Sequence, residues 1–355
     1  MGDIHKKTIG ERIDWLFDLA QRHGEMFRSP EACLARERYL ARHPTAIAVL
    51  KCMDGRINIP VATNTPVGLL MPFRNLGGMF DLGWPHLGEV LAHHVMRMAQ
   101  SGRQVLFLIT YHFAKGDPKR GCAGFHFDTK AAMQHTRSIQ RQMEHIFGLG
   151  HGTVYPLVCG FETDEEALVI HGQGDAVFEL ASFTDDPATL EARLAQLLPD
   201  MPAQMRHDLA PLLRGNLSHL AMVREQNARR QRLLDIEHRE WMICIGRGFD
   251  FLHTPNVALI IGPYSPDLAE PIRNAASILQ ANMDARRIPD DGILLLASVP
   301  YDEIGVDRAR AELKAGFLAT FAAHVIHSEL PALAAKMSLR TAVLDWRSRR
   351  LEQLA

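Results

Sequence analysis

TAIAVLKCMDGR, residues 45–56, opens as an apolar, β-branched run and closes on polar residues and a glycine. That pattern reads as a strand buried on both faces, with chemistry at its C-terminal end. Working outward, VGLLMPFRNLGG (67–78) reads as a second strand followed by a glycine turn, and WPHLGEVLAHHVMRMAQ (84–100) as a helix. RQVLFLITYH (103–112) is a third buried strand, 128–147 another helix, and TVYPLVCGF (153–161) a fourth strand, which EEALVIHG (165–172) extends as a hairpin. Strands alternating with helices predict an α/β fold with a mostly parallel sheet flanked by helices. Ahead of it, residues 8–23 and 30–43 carry apolar side chains at helical spacing.

After a helical, polar stretch over 187–240, the order repeats. REWMICIGRG (239–248) and NVALIIGPYS (256–265) read as strands, 269–287 as a helix, GILLLASVPYD (292–302) as a strand, 307–326 as a helix and SLRTAVLDW (338–346) as a strand. This recurrence predicts a divergent internal duplication, with the two copies packed as an intrachain pseudo-dimer. The expected divisions are an N-terminal helical segment (1–44), a first copy (45–186), and a connector with a degenerate second copy (187–355).

Composition narrows the function. Lys plus Arg number 39 against 41 Asp plus Glu, so the chain is not built to bind nucleic acid or an anionic membrane. No apolar run approaches the ~18 residues of a membrane span. The charged start, MGDIHKKTIGERIDWLF, does not read as a secretion signal. Five scattered cysteines do not make a disulfide framework and fit a reducing cytoplasm. Eighteen histidines justify a search for metal ligands.

In a parallel sheet, ligands gather at the carboxyl ends of the strands. Cys52 closes the first strand and His112 the third, and the nine-residue loop FAKGDPKRG leads back to Cys122. Cys, His and Cys form a zinc set, and three protein ligands leave a fourth position open, as in catalytic zinc sites. Two buried thiols and a turn histidine would give the same residues without a metal. His126 is the next candidate, as a proton shuttle or substitute ligand. His93 and His94 lie on a helix, one facing in and one out. Cys159 reads as a core thiol.

CMDGR (52–56) resembles the Cys-x-Asp-x-Arg motif of β-class carbonic anhydrases. FRNLGG (73–78) is similar to the Arg-Asn-x-Gly segment of that family, and TYHFAKGDPKRGCAG (110–124) to its His-x-x-Cys-Gly segment with a longer spacer. The resemblance covers about residues 45–172. A long spacer with a degenerate second copy looks most like the carboxysomal shell carbonic anhydrase branch. Loop-closure entropy grows logarithmically, so the longer spacer costs under ~2 kcal/mol extra.

The resemblance implies one zinc ion per chain on Cys52, His112 and Cys122, and hydration of CO2 to bicarbonate by zinc-bound hydroxide. Asp54 and Arg56 are then the catalytic pair: the arginine holds the carboxylate off the metal and orients it. Two thiolate ligands make the site less electropositive than three imidazoles would, so activity is expected to rise toward mildly alkaline pH. The second copy has IGRGFD (245–250) and Pro300 at the corresponding places, and is expected to hold no zinc. Alternatives are a zinc hydrolase acting on CS2 or COS, or a non-catalytic zinc-binding assembly protein. A homo-oligomer without nucleic-acid or membrane partners is expected, cytoplasmic or carboxysome-associated. Association with a shell or with Rubisco stays open.

Overall fold

The computed structural model describes residues 3–228 and 236–354. Residues 229–235 of the expected helical connector lie outside the described residues. In chain order the elements are α1 (Ile9–Phe27), α2 (Pro30–Arg42), β1 (Ala46–Cys52), the single turn α3 (Ile59–Ala62), β2 (Leu70–Asn75), α4 (Pro85–Gln100), β3 (Val105–Phe113), α5 (Thr129–Phe147), β4 (Val154–Glu162), β5 (Ala167–His171), β6 (Val177–Glu179), α6 (Leu190–Leu197) and α7 (Ala203–Ala228). They continue with β7 (Met242–Ile245), β8 (Ala258–Ile261), α8 (Ala269–Asp284), β9 (Ile293–Tyr301), α9 (Val306–Glu329), the short α10 (Pro331–Ala334), β10 (Met337–Asp345) and β11 (Arg350–Gln353).

The fold is α/β, with two mostly parallel sheets flanked by helices. The first sheet runs β2-β1-β3-β4-β5-β6. Its first four strands are parallel, and β5 and β6 are antiparallel. Every residue of β1 is buried, as the continuous apolar run requires. Helix α5, capped by Asp128 accepting from the Lys130 and Ala131 amides, packs on β3 and β4.

The second sheet runs β8-β7-β9-β10-β11. Its first four strands are again parallel and its fifth antiparallel. This is the strand order and sense of β2-β1-β3-β4-β5. The crossover helices correspond too, α8 with α4 and α9 with α5. The hairpin to β11 is absent from the strands expected from sequence. RLEQ is too short and polar to announce itself as one.

The chain divides into two compact units that interleave along the sequence. One comprises Ala35–Cys52 and Ile57–Glu237, the other Met1–Leu34, Met53–Arg56 and His238–Ala355. Helix α1 starts with a capping box, in which the Thr8 and Glu11 side chains each serve the other's backbone amide. It buries Ile13, Leu16 and Ala20 and packs on β9 and β11.

Candidate metal centre

Cys52 is the last residue of β1 and pairs in register with Asn75 of β2. His112 is the penultimate residue of β3. Both therefore stand at carboxyl ends of adjacent parallel strands, where the sequence reading placed them. Cys122 reaches the same edge through the long loop. Several contacts fix that loop. The Lys115 amide donates to Glu162 Oε1 (2.9 Å) and the Gly116 amide to Asp164 Oδ2 (2.8 Å). Arg120 adds two hydrogen bonds to Asp164, from Nε (3.2 Å) and its terminal nitrogen (2.9 Å).

Beyond Cys122, the chain passes close to the glycine turn after β2. A Cβ on Gly124 would lie 2.8 Å from the Gly77 Cα, and Gly77 itself has φ +63°. Two residues without side chains let these backbones touch, and so seat the Cys122 segment.

The result is a buried cluster. One ligand atom from each of Cys52, His112 and Cys122 lies within 4.8 Å of the other two. The residues are 6%, 2% and 3% exposed. The cysteines are in the reduced thiol form. The neighbouring Cys122 thiol, then burial, pushes the Cys52 thiol well above its usual pKa, with His112 opposing. Two thiols so placed do not ionise together without a cation between them. A borderline-soft dication relieves that conflict, and Zn2+ takes a donor set of two sulfurs and one nitrogen. The residues fit the metal.

Asp54 and Arg56 lie in the short segment belonging to the other unit, and both are buried. Arg56 grips Asp54 through Nε to Oδ1 (3.0 Å), its terminal nitrogen to Oδ2 (2.6 Å) and its own amide to Oδ1 (2.9 Å). The same segment pairs with the second sheet: the Ile260 amide donates to the Met53 carbonyl (2.9 Å) and the Asn256 amide to the Gly55 carbonyl (2.7 Å).

Sequence reasoning missed two residues here. His238 Nε2 lies 3.7 Å from Asp54 Oδ2, and its Nδ1 lies 2.9 Å from Glu240 Oε2. The Glu240 carboxylate, fully buried, also accepts from the Gly55 amide (3.1 Å). Burial works against its charge, but His238 and Arg56 hold its pKa below the usual value. The signal was HRE (238–240) just ahead of the β7 strand, a charged triplet leading into a buried run.

The remaining candidates play no part in the cluster. His126 is exposed with a left-handed backbone. His93 is exposed, and His94 packs edge-on against Phe73 and Phe107. Cys159 is fully buried, and burial pushes its thiol up to about 12.

No protein-family model matches the chain. It is similar to a carboxysome shell carbonic anhydrase of Halothiobacillus neapolitanus, at 23% identity over 253 residues. The match covers 60% of this chain and 49% of that protein, so the chain spans about half the length of this curated relative. A carbonic-anhydrase relative and a Cys/His/Cys metal-binding group thus coincide in one chain. No described helix is long and apolar enough to cross a membrane.

Proposed function

We propose that the chain is a zinc-dependent carbonic anhydrase converting CO2 and water reversibly to bicarbonate and a proton. The observation that carries this reading is the convergence of Cys52, His112 and Cys122 in one buried cluster from three separate parts of the sequence. These three side chains would hold the zinc ion. When bound there, it supplies a Lewis acid that raises the acidity of solvent near neutral pH.

The chain's own residues do the rest. Arg56 pins both carboxylate oxygens of Asp54, so that this acid stays in place rather than turning into a further ligand. Asp54 is assigned the role of hydrogen-bond acceptor that orients the nucleophile's proton. Residues 45–186 are assigned the catalytic copy and 187–355 the connector and a degenerate copy. The matching strand order and sense of the two sheets support duplication. A carboxysomal setting is part of the same proposal and is supported by the relative's name alone.

The test is metal analysis of the whole chain coupled to a CO2 hydration assay, before and after chelation. The expected result is that Cys52→Ser loses the zinc equivalent held by the cysteine cluster together with the hydration activity, and that activity is lost on chelation and restored by zinc. A fully loaded chain with no hydration above the uncatalysed rate overturns the reading. A panel including COS and CS2 tests the substrate.

A further inference from the structure

A second cluster of metal-ligand type lies elsewhere in the unit that carries the first sheet. His43 follows the end of α2, and His207 and Asp208 lie in the second turn of α7. Asp208 is 1% exposed. Its Oδ2 accepts from the Thr45 amide (2.8 Å), and its Oδ1 faces His43 Nδ1 (3.1 Å) and Gln204 Nε2 (2.8 Å). The His43 and His207 rings stack 5.0 Å apart, 28° from parallel. One ligand atom from each of the three residues lies within 4.8 Å of the other two. The His207 side chain is 46% exposed, which gives an ion a way in.

We propose that His43, His207 and Asp208 form a second metal site, for a borderline divalent ion such as Zn2+, separate from the cysteine-containing centre. Two imidazoles and a carboxylate suit zinc, nickel or copper and not the all-oxygen preference of magnesium or calcium. Glu191 supplies the outer support. Its Oε2 lies 3.4 Å from His207 Nδ1, which leaves Nε2 as the ligand nitrogen. Arg214 in turn holds the other Glu191 oxygen, at 2.8 Å. The ion would tie the end of α2 to α7, joining His43 to a residue 165 positions further along the chain. It would stabilise the folded state by binding it alone. The role is a clamp, not catalysis.

Cobalt(II) is the probe, titrated into the full metal-free chain. The cysteine centre gives thiolate-to-metal charge-transfer absorption, and the second site, lacking sulfur, gives ligand-field bands only. Two equivalents are expected in the unaltered chain. His207→Ala, at an exposed ring, should weaken the sulfur-free equivalent at least ~10-fold, and Glu191→Gln by about 10–100-fold, with the charge-transfer band and CO2 hydration unchanged. Cys52→Ser combined with Cys122→Ser should abolish the charge-transfer band and keep the sulfur-free equivalent. A titration ending at one equivalent, with His43 and His207 serving only as partners of acidic side chains, overturns the proposal. So does a sulfur-free equivalent that survives His43→Ala combined with His207→Ala.

Discussion

Asp54 and Arg56 are held together by three hydrogen bonds, and each is buried, so neither has an easy alternative arrangement. Asp54→Asn and Arg56→Ala are expected to keep zinc bound while lowering kcat by at least about 100-fold, as removal of an aligned acid–base group does. Metal analysis and hydration kinetics on the same preparations check this, and near-full turnover in both variants would remove the assigned roles. The Cys52 thiol gives a second expectation. Because Cys122 and burial raise its pKa, the metal-free Cys52 thiol keeps its proton, and zinc uptake must expel it. Zinc affinity should therefore climb with pH, by up to about 100-fold per unit if both thiols are protonated beforehand, as read by competition with a chromogenic chelator. An affinity flat between about pH 6 and 8 would contradict the picture of two coupled thiols.

Among the elements, the short segment 53–56 is the most exacting. A Cβ added to Gly55 would lie 2.7 Å from the Ala258 carbonyl oxygen and 2.9 Å from the Glu240 Cγ. Backbone at that distance cannot yield cheaply. Gly55→Ala is expected to displace the Asp54–Arg56 turn and to cost about 1–3 kcal/mol of stability through overpacking. Turnover should fall further than zinc content. Full turnover in this variant would show that the turn tolerates displacement. Glu240→Gln is the gentler companion, since it keeps an acceptor for the Gly55 amide but removes the charge facing His238. The long loop before Cys122 is a second such element. Asp164 receives both the Gly116 amide and the Arg120 guanidinium, and so offsets the entropy of the nine-residue spacer.

At the scale of the whole molecule, two buried histidines, one in each unit, are expected to weaken the fold as the pH falls. Burial, with Arg349, pushes His23 down to about 4. Burial, with Arg137, does the same to His171. The His171 Nε2 sits 2.9 Å from the Tyr111 hydroxyl, and its Nδ1 has no hydrogen-bond partner among the described residues. A ring whose folded pKa lies below its unfolded value near 6.5 favours the folded state while neutral. Its contribution is therefore complete above about pH 6.5 and is lost as the pH falls toward about 4. Each ring should account for roughly 3 kcal/mol across that window. Urea unfolding at about pH 7 and pH 4.5 reads the loss, and His171→Gln should make it smaller. Equal stability at both pH values would contradict the assignment.

The sequence alone determined the α/β class, the places of the β1–β4 strands and the identities of the three metal-ligand candidates. Buried parallel strands are continuous apolar runs, and ligands at strand ends stand out as the polar residues that terminate them. Cys52 and His112 were legible for that reason. Only the tertiary structure decided that Cys122 returns to them, because the Asp164 and Gly77–Gly124 contacts that seat its loop join residues far apart in the chain. It alone also decided that residues 53–56 join the unit of the second sheet, where Glu240 and His238 meet the Asp54–Arg56 turn. Such pairings depend on backbone hydrogen bonds and close packing between distant segments, which leave no periodic trace in either segment's own sequence.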